Sequence, residues 1–451
     1  MSIQMMHQSR LPVTDRPGTD FKGPRGPLKH RCGLCLEPNS KLSRCTGCQV
    51  VRYCSREHQV EHRPKHKSVC NKIKKHRAKV SKEEHAVRNA TPDFMTPANA
   101  FETHVGHFWG IHSTRDYMRA RFDLADTVRR LGSLDGVTEA LGHLRDMLRL
   151  CRGDNMGVRD LIPPMMLQLD QDSECYDFVK WYETEGQRGD YDWGNMDLPF
   201  LSVKGANVLE DVGYLTRKYG RIQHISAVML LKLKLLVDII YVKLARKVIA
   251  ARLPPELWER VELHVVRSSV SRQWVGKSYQ AITGAQQQLE LHIRLLARAI
   301  KLRNEHFDTV LLSADEYLSI RPGFYSPGSF EEMLLLLQYS YAGWWEHEGV
   351  VELLQSAKSI ASKDSEDEIE DMMDGTTFKT NPGSDRTKEE LLDDVSCNRL
   401  WGYFEYAVED AINLSEVRPS ETRRLQYRAE DEDDEGDEYD EDDDDYVSES
   451  D

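Results

Sequence analysis

Eight cysteine and histidine residues between positions 32 and 70 constrain this chain more than any other feature of its sequence. These residues are Cys32, Cys35, Cys45, Cys48, Cys54, His58, His66 and Cys70. Thiols separated by two residues, as in the first two pairs, can converge on one tetrahedral Zn²⁺ ion. Residues four positions apart, as in the last two pairs, lie on one face of an α-helix. The stretch therefore predicts two four-ligand zinc sites.

Eight ligands fill two tetrahedral sites completely and leave no coordination position for water. Closed zinc sites of this kind are structural rather than catalytic, so we expect two structural Zn²⁺ ions. A disulfide-bonded knot is the alternative interpretation of so many cysteines. The N-terminal residues lack the apolar segment of a secretory signal, and disulfides are rare in reducing compartments, so zinc is favoured. A domain of this size has a small core, and metal binding should supply its folding free energy.

The order of these ligands resembles that of the MYND-type zinc finger. The run 52–55, Gln59, Pro64 and the pair 66–67 also resemble that family, and the resemblance covers 39 of 451 residues. In that family the two zinc sites interleave along the chain. The resemblance therefore implies that one ion is held by Cys32, Cys35, Cys54 and His58, and the other by Cys45, Cys48, His66 and Cys70.

Two residues depart from the MYND pattern. His58 stands where the family usually has its sixth cysteine, which implies a site with three cysteines and one histidine. His62 is a nearby alternative, but only His58 keeps the family spacing. Arg63 stands where the family usually has a tryptophan that helps to bind proline-containing peptides. Gln59 is retained, so the resemblance leaves peptide binding by this finger open.

The charge of the chain is segregated between its two ends. Residues 1–80 carry 18 Lys/Arg and 5 Asp/Glu, whereas residues 430–451 carry 16 Asp/Glu and no Lys/Arg. We expect disorder in residues 1–28, which are rich in proline and glycine, and in the self-repelling acidic tail 429–451. Opposite charges on one chain attract weakly and in a salt-dependent manner. The hypothesis is that the tail masks the basic N-terminal region.

Apolar residues recur with helical period from Arg115 onward, which predicts a mostly α fold: a cross-braced double-zinc finger followed by an all-helical body. Residues 110–184 are predicted to form two antiparallel helix pairs. These pairs are weakly similar to tetratricopeptide repeats, and an ordinary helical hairpin bundle is the alternative. The apolar stretch 222–253 contains Lys and Asp residues, so we expect a buried helix there rather than a transmembrane one.

A chain of 451 residues can hold two or three domains. Short helical patterns also predict one helix over 208–214 and another over 329–356. We expect the following segments: the finger (29–72), a helical domain (205–356), a mobile loop (357–386) and a C-terminal helical segment (387–420).

The chain has no Walker-type phosphate loop, no Gly-x-Ser-x-Gly elbow and no His-Glu-x-x-His motif. Some lysine methyltransferases carry a MYND finger inserted into a strand-rich SET domain with an Asn-His-Ser-Cys-type motif. Here Asn304-Glu305-His306 is only remotely similar to that motif, and the region after the finger is predicted to be helical. The sequence therefore favours a protein that is not an enzyme.

We expect an intracellular protein, in the nucleus or cytoplasm, that binds protein partners and no membrane. Its oligomeric state is left open. The first alternative is a nucleic-acid-associated regulator that uses its basic N-terminal region, including the run 72–79. The non-functional interpretation is that this run is simply the solvent-exposed end of the finger's last helix. The second alternative is a protein lysine methyltransferase.

Overall fold

The structure is a computed structural model that describes residues 23–39, 41–217, 220–249, 252–374 and 386–413. It is mostly helical, with a small two-stranded sheet near the N-terminus, and the predicted fold class is confirmed. Strands β1 (Ser43–Arg44) and β2 (Arg52–Tyr53) are antiparallel, and Ser43 lies opposite Tyr53. Among the described residues, no helix is both long enough and apolar enough to span a bilayer.

Helices make up the rest of the fold. In the N-terminal half they are α1 (Arg56–Arg88), α2 (Ala100–Thr103), α3 (Arg115–Arg129), α4 (Leu134–Leu150), α5 (Ile162–Gln168), α6 (Asp172–Glu183) and α7 (Ile222–Ile249). In the C-terminal half they are α8 (Trp258–Val265), α9 (Tyr279–Lys301), α10 (Phe307–Leu312), α11 (Ala314–Tyr317), α12 (Phe330–Glu346), α13 (Val350–Asp364), α14 (Glu366–Asp374), α15 (Lys388–Arg399) and α16 (Phe404–Asn413). Short 3-10 helices cover Phe108–Gly110, His112–Thr114, Val158–Asp160, Glu185–Gln187, Pro255–Leu257, Val270–Trp274 and Leu400–Gly402.

Helix α1 links the zinc finger to the body. The Ser55 side chain caps its N-terminus by accepting a hydrogen bond from the His58 N–H. The helix then continues to Arg88, well beyond the predicted end of the finger at residue 72, and packs against α3. Buried Ile73 and Val87 provide apolar contacts along this extension. The finger and the body therefore share one continuous hydrophobic core.

Helix α7 lies at the centre of the body, in contact with α5, α6, α8, α9, α12, α13 and α16. Every residue from His224 to Ile240 is buried, as expected for a helix segment that is apolar around its whole circumference. Its buried charged residues have internal partners: Lys232 Nζ donates to the Val208 carbonyl at 2.6 Å, and Lys243 Nζ donates to Gln286 Oε1 at 2.6 Å. The Asp238 carboxylate accepts from the Arg267 and Ser268 N–H groups. Buried charges require such partners.

The predicted helix pairs of residues 110–184 correspond to α3 with α4 and α5 with α6. Helix α5 is seven residues long and every one of its residues is buried. It begins at Ile162, and Pro163 and Pro164 are tolerated because the first helical N–H groups need no intrahelical acceptor.

Several of the sequence predictions differ from the structure. Residues 1–28 were expected to be disordered, but residues 23–28 contact the body: the Trp345 Nε1–H donates to the Gly23 carbonyl at 2.9 Å, and the Arg25 guanidinium stacks on the Trp345 ring. Residues 1–22 lie outside the described part of the chain.

The helix predicted over 208–214 is a series of turns, because the Asp211 side chain accepts the Gly213 N–H and competes with helical hydrogen bonds.

The helix predicted over 329–356 is divided into α12 and α13. Gly349, between them, has φ of +91°, and a Cβ there would meet the Tyr241 hydroxyl and Val237 on α7 at 2.9 Å. Only glycine allows both this backbone conformation and this close approach.

The segment 357–386 was expected to be a mobile loop, but it is helical up to Asp374. Its polar composition conceals Ala357, Ala361 and Ile369, which are buried. Helices α15 and α16 pack on α13, so the described part of 387–420 joins the preceding helical domain instead of standing apart. Residues 375–385 and 414–451, including the acidic tail, lie outside the described residues.

Candidate metal centre

The first group of candidate ligands brings together three parts of the finger. Cys32 and Cys35 precede β1, Cys54 follows β2, and His58 lies in the first turn of α1. Their ligand atoms all lie within 4.8 Å of one another. Cys32 is buried, whereas Cys35 and Cys54 are exposed, so this group lies at the protein surface.

The second group joins the turn between the two strands to the middle of α1. Cys45 and Cys48 lie in that turn, and His66 and Cys70 lie one helical turn apart on α1. All four residues are buried, and their ligand atoms also lie within 4.8 Å of one another. The turn is held by a backbone hydrogen bond from the Cys45 N–H to the Val51 carbonyl, at 2.8 Å.

The distances in the second group are those of a tetrahedral zinc site. Zn–S bonds of about 2.3 Å and Zn–N bonds of about 2.0–2.1 Å place neighbouring ligand atoms about 3.5–3.8 Å apart. The Cys45 and Cys70 Sγ atoms are 3.8 Å apart, and Cys48 Sγ lies 3.5 Å from His66 Nε2. We therefore interpret these contacts as edges of a metal-binding tetrahedron rather than as hydrogen bonds.

His58, and not His62, completes the first group. His58 Nδ1 lies 3.5 Å from Cys32 Sγ and 3.0 Å from Cys54 Sγ. His62 instead lies outside the group, with its Nδ1 atom 3.0 Å from the Tyr53 hydroxyl. The two groups, each with three thiols and one imidazole, fit two zinc ions.

Burial affects the protonation of the second group. It lowers the pKa of His66 to about 4, so this imidazole is neutral at physiological pH, as metal binding requires. Burial also raises the pKa of the Cys48 thiol to about 11. Zinc binds thiolate, so Cys48 would lose its proton on holding a zinc ion.

The family model for the MYND finger matches residues 32–70, the segment bounded by the first and last ligands. Residues 32–70 form a MYND finger. The two ligand groups of this MYND finger interleave along the chain, in the grouping that the resemblance implied. No curated protein and no solved structure matches the chain. The similarity of the helical body to tetratricopeptide repeats stays a prediction.

One face of the MYND finger rests on the helical body through Asp135 of α4. Arg52 donates two hydrogen bonds to its carboxylate, and Arg44 Nη2 donates a third at 2.7 Å. Burial alone would raise the pKa of Asp135, but the ion pairs with Arg52 and Arg44 outweigh it and hold this pKa below its usual value. The Ser133 hydroxyl, which caps α4, also lies 3.4 Å from the Val50 carbonyl of the finger.

The basic run 72–79 takes part in the same interface. Arg77 Nη2 donates to the Cys48 carbonyl at 3.0 Å and to Glu139 of α4 at 2.8 Å. Lys79 pairs with Asp123 of α3 at 3.1 Å, and His76 contacts the Asp123 carbonyl. Part of a run that was a candidate nucleic-acid patch therefore binds the protein's own helices. The other basic residues of the run, Lys72, Lys74 and Lys75, are exposed.

The sequence predicts the eight zinc ligands but not the residues that hold the finger against the helical body. In the sequence, Asp135 looks like an ordinary acidic residue in the first turn of a helix, and Glu139 looks like a solvent-exposed helix residue. Their partners are more than sixty positions away along the chain. No local spacing signals such a pairing.

Proposed function

We propose that this chain is a zinc-dependent, non-catalytic adaptor that binds protein partners through its MYND finger. MYND fingers commonly mediate protein interactions. The observation that carries the proposal is the orientation of the finger: the body covers one side, while the first turns of α1 stay accessible. Val60 is 62% exposed and Arg63 is exposed, with Gln59 between buried and exposed. An exposed apolar residue on a rigid element suits protein contact.

The two zinc groups support this surface from both ends. Val60 and Arg63 lie on α1 between His58 of the first group and His66 of the second. Both groups offer four protein ligands, so the zinc ions would hold this part of α1 in place without an open position for substrate. The metal would thereby supply a rigid docking surface rather than chemistry.

The residues that most resembled a methyltransferase motif have a structural task. The Asn304 side-chain amide donates to the Ser329 carbonyl at 2.7 Å, and its oxygen accepts the His306 N–H at 3.1 Å. Asn304 therefore links the end of α9 to the start of α12. This supports the proposal that the protein is not a methyltransferase.

Affinity purification of full-length Val60→Asp and wild-type protein from the same cells tests the proposal. The carboxylate would disrupt an apolar contact surface, and partners that bind the finger should be lost. The matched control is Ala86→Asp, which adds the same charge at an exposed position near the other end of α1. Both variants should keep the zinc content and unfolding temperature of the wild type.

If Val60→Asp and Ala86→Asp both keep the partners of the wild type, the finger is not the docking surface.

The nucleic-acid alternative is tested with Lys72→Glu/Lys75→Glu, titrated against duplex DNA at two salt concentrations. Phosphate contacts predict a binding loss that is largest at low salt. Transfer of a methyl group from S-adenosylmethionine to a protein substrate would overturn the non-catalytic part of the proposal.

A further inference from the structure

A groove lies between the segment 196–204 and helices α4, α5 and α6, outside the MYND finger. It consists of two adjoining cavities with volumes of about 250 and 330 Å³. Arg145 and Leu201 line both cavities, so the two lie next to each other in this groove. Each cavity is near the lower end of the range for small-molecule sites, about 300–1,000 Å³, and suits a single bulky side chain.

One wall of the groove is cationic. Arg145, Arg149 and Arg152 follow one another at helical spacing along α4 and just beyond its end. Arg145 donates to the Gln171 side chain at 2.7 Å, and Arg149 donates to Asp146 at 2.6 Å. A guanidinium carries five N–H donors, so these bonds leave donors for a ligand.

Acidic residues at the groove are fewer than basic ones. Lys204 adds a fourth cation to the lining, and the acidic lining residues are Glu174 and Asp177. The Asp177 carboxylate is occupied, since it accepts the N–H groups of Gly205 and Ala206, both at 2.8 Å. The excess positive charge favours an anionic ligand.

The opposite wall is apolar and its backbone is strained. Met196, Phe200, Leu201 and Val203 line it. Leu201 has φ of +50°, a left-handed conformation that strains a bulky residue. Arg152 supports this wall: its guanidinium lies 5.1 Å from the centre of the Phe200 ring and donates to the Leu198 carbonyl. Strained residues of this kind cluster at ligand sites.

We propose that this groove binds an acidic peptide segment with an aromatic side chain, and that its occupant is this chain's own segment 437–449. Arginines bind carboxylates through paired hydrogen bonds, and an aromatic ring gains most by filling an apolar cavity. The segment 437–449 carries Tyr439 and Tyr446 within a run of aspartates and glutamates. Both halves of the groove therefore have complementary groups in this one segment.

The tether is long enough for the contact. Helix α16 ends at Asn413, close to the C-terminal end of α7, where Lys247 donates to the Ile412 carbonyl. Tyr446 lies thirty-three positions after Asn413, and an extended chain spans about 3.3 Å per residue, or roughly 110 Å in total. This proposal differs from general masking of the basic N-terminal region, because it predicts dependence on the tyrosines as well as on charge.

Photo-crosslinking in the full-length protein tests the proposal. A benzophenone amino acid, p-benzoylphenylalanine, replaces Tyr446, and cross-linked peptides are mapped by mass spectrometry. Benzophenone reacts readily with methionine, so we expect intramolecular cross-links to Met166 or Met196, which line the groove. The cross-linked fraction should fall about tenfold in Arg145→Glu/Arg149→Glu, equivalent to about 1.4 kcal/mol of lost binding.

Two further variants control for charge and folding. Lys72→Glu/Lys75→Glu has the same change in charge on α1 and should leave the cross-links unchanged. Leu201→Asn removes the apolar side chain but tolerates the left-handed backbone, so it should fold and still lose the cross-links. Cross-links to α1, cross-links only between two chains, or equal loss in both charge variants would each overturn the proposal.

Discussion

Arg52, the first residue of the finger's second strand, forms a bidentate ion pair with Asp135 in the first turn of α4. Arg52 Nε donates to Oδ2 at 2.5 Å, and Nη2 donates to Oδ1 at 3.0 Å. The Asp135 side chain is only 12% exposed. Arg52 lies two residues before the ligand Cys54, so this pair connects the first zinc group directly to the helical body.

Asp135→Asn should destabilise the chain by about 1–3 kcal/mol, because Arg44 and Arg52 would lose charge-assisted hydrogen bonds. Urea unfolding measures the loss, and metal analysis should still show two zinc ions per chain. Asp116→Asn is the control: Asp116 pairs with Arg119 at the surface and is 72% exposed, so its loss should cost less than about 0.5 kcal/mol. Equal stability of the two variants would contradict a stabilising role for the ion pairs of Asp135 with Arg44 and Arg52.

His58→Ala should lose one zinc ion per chain, and His62→Ala should keep both. The reason is geometric, since only His58 places a ring nitrogen among the thiols of the first group. Metal analysis of the purified variants gives the answer. Zinc loss from His62→Ala alone would show that the ligand assignment is wrong.

Chelation of zinc should destabilise the helical body as well as the finger. The hydrophobic core is continuous from Cys32 to Ile412, and α1 belongs to both parts. Differential scanning calorimetry should show a lower unfolding temperature for the whole chain after chelator treatment, with recovery on adding zinc. A body transition that stays at the same temperature would mean that the two parts fold independently.

Lys234→Met should destabilise the chain by about 3–5 kcal/mol, because it leaves the buried Asp172 carboxylate without its cation. Lys234 Nζ lies 2.6 Å from Asp172 Oδ1, and both side chains are almost fully buried. Replacing both residues, as Lys234→Met/Asp172→Asn, should recover part of the loss. Lys72→Met, at an exposed site, should have little effect on urea unfolding.

Glu346→Gln should become more stable relative to wild type as the pH rises from about 5 to about 8. Burial raises the pKa of Glu346 to about 8, whereas an unfolded glutamate has a pKa of about 4.3. Between these values the folded state binds more protons, so this residue's contribution to stability falls as pH rises. Urea unfolding across that pH range measures the difference. Glu348→Gln, at an exposed position, should show no such trend.

The sequence alone identified the features that depend on local chemistry. The eight ligands can be recognised in the sequence because zinc requires cysteine and histidine at short, regular spacings. The same eight residues form the two ligand groups in the structure. The helical character of the body follows from apolar residues at helical spacing. The interleaved grouping needed the resemblance to a known family, because spacing does not say which pairs share an ion.

Only the tertiary structure determined how the parts meet. The Arg52–Asp135 pair, the partners of Lys234 and the groove beside Leu201 each join residues far apart in the chain. A carboxylate on a helix surface carries no local sign of the arginine that will face it. Helix α7 shows the same limit: Lys232, Lys234 and Lys243 interrupt its apolar pattern, and only the packing of neighbouring elements explains why they are buried and paired. Local spacing specifies ligands and helices, whereas the energetics of burial depends on neighbours that the fold alone brings together.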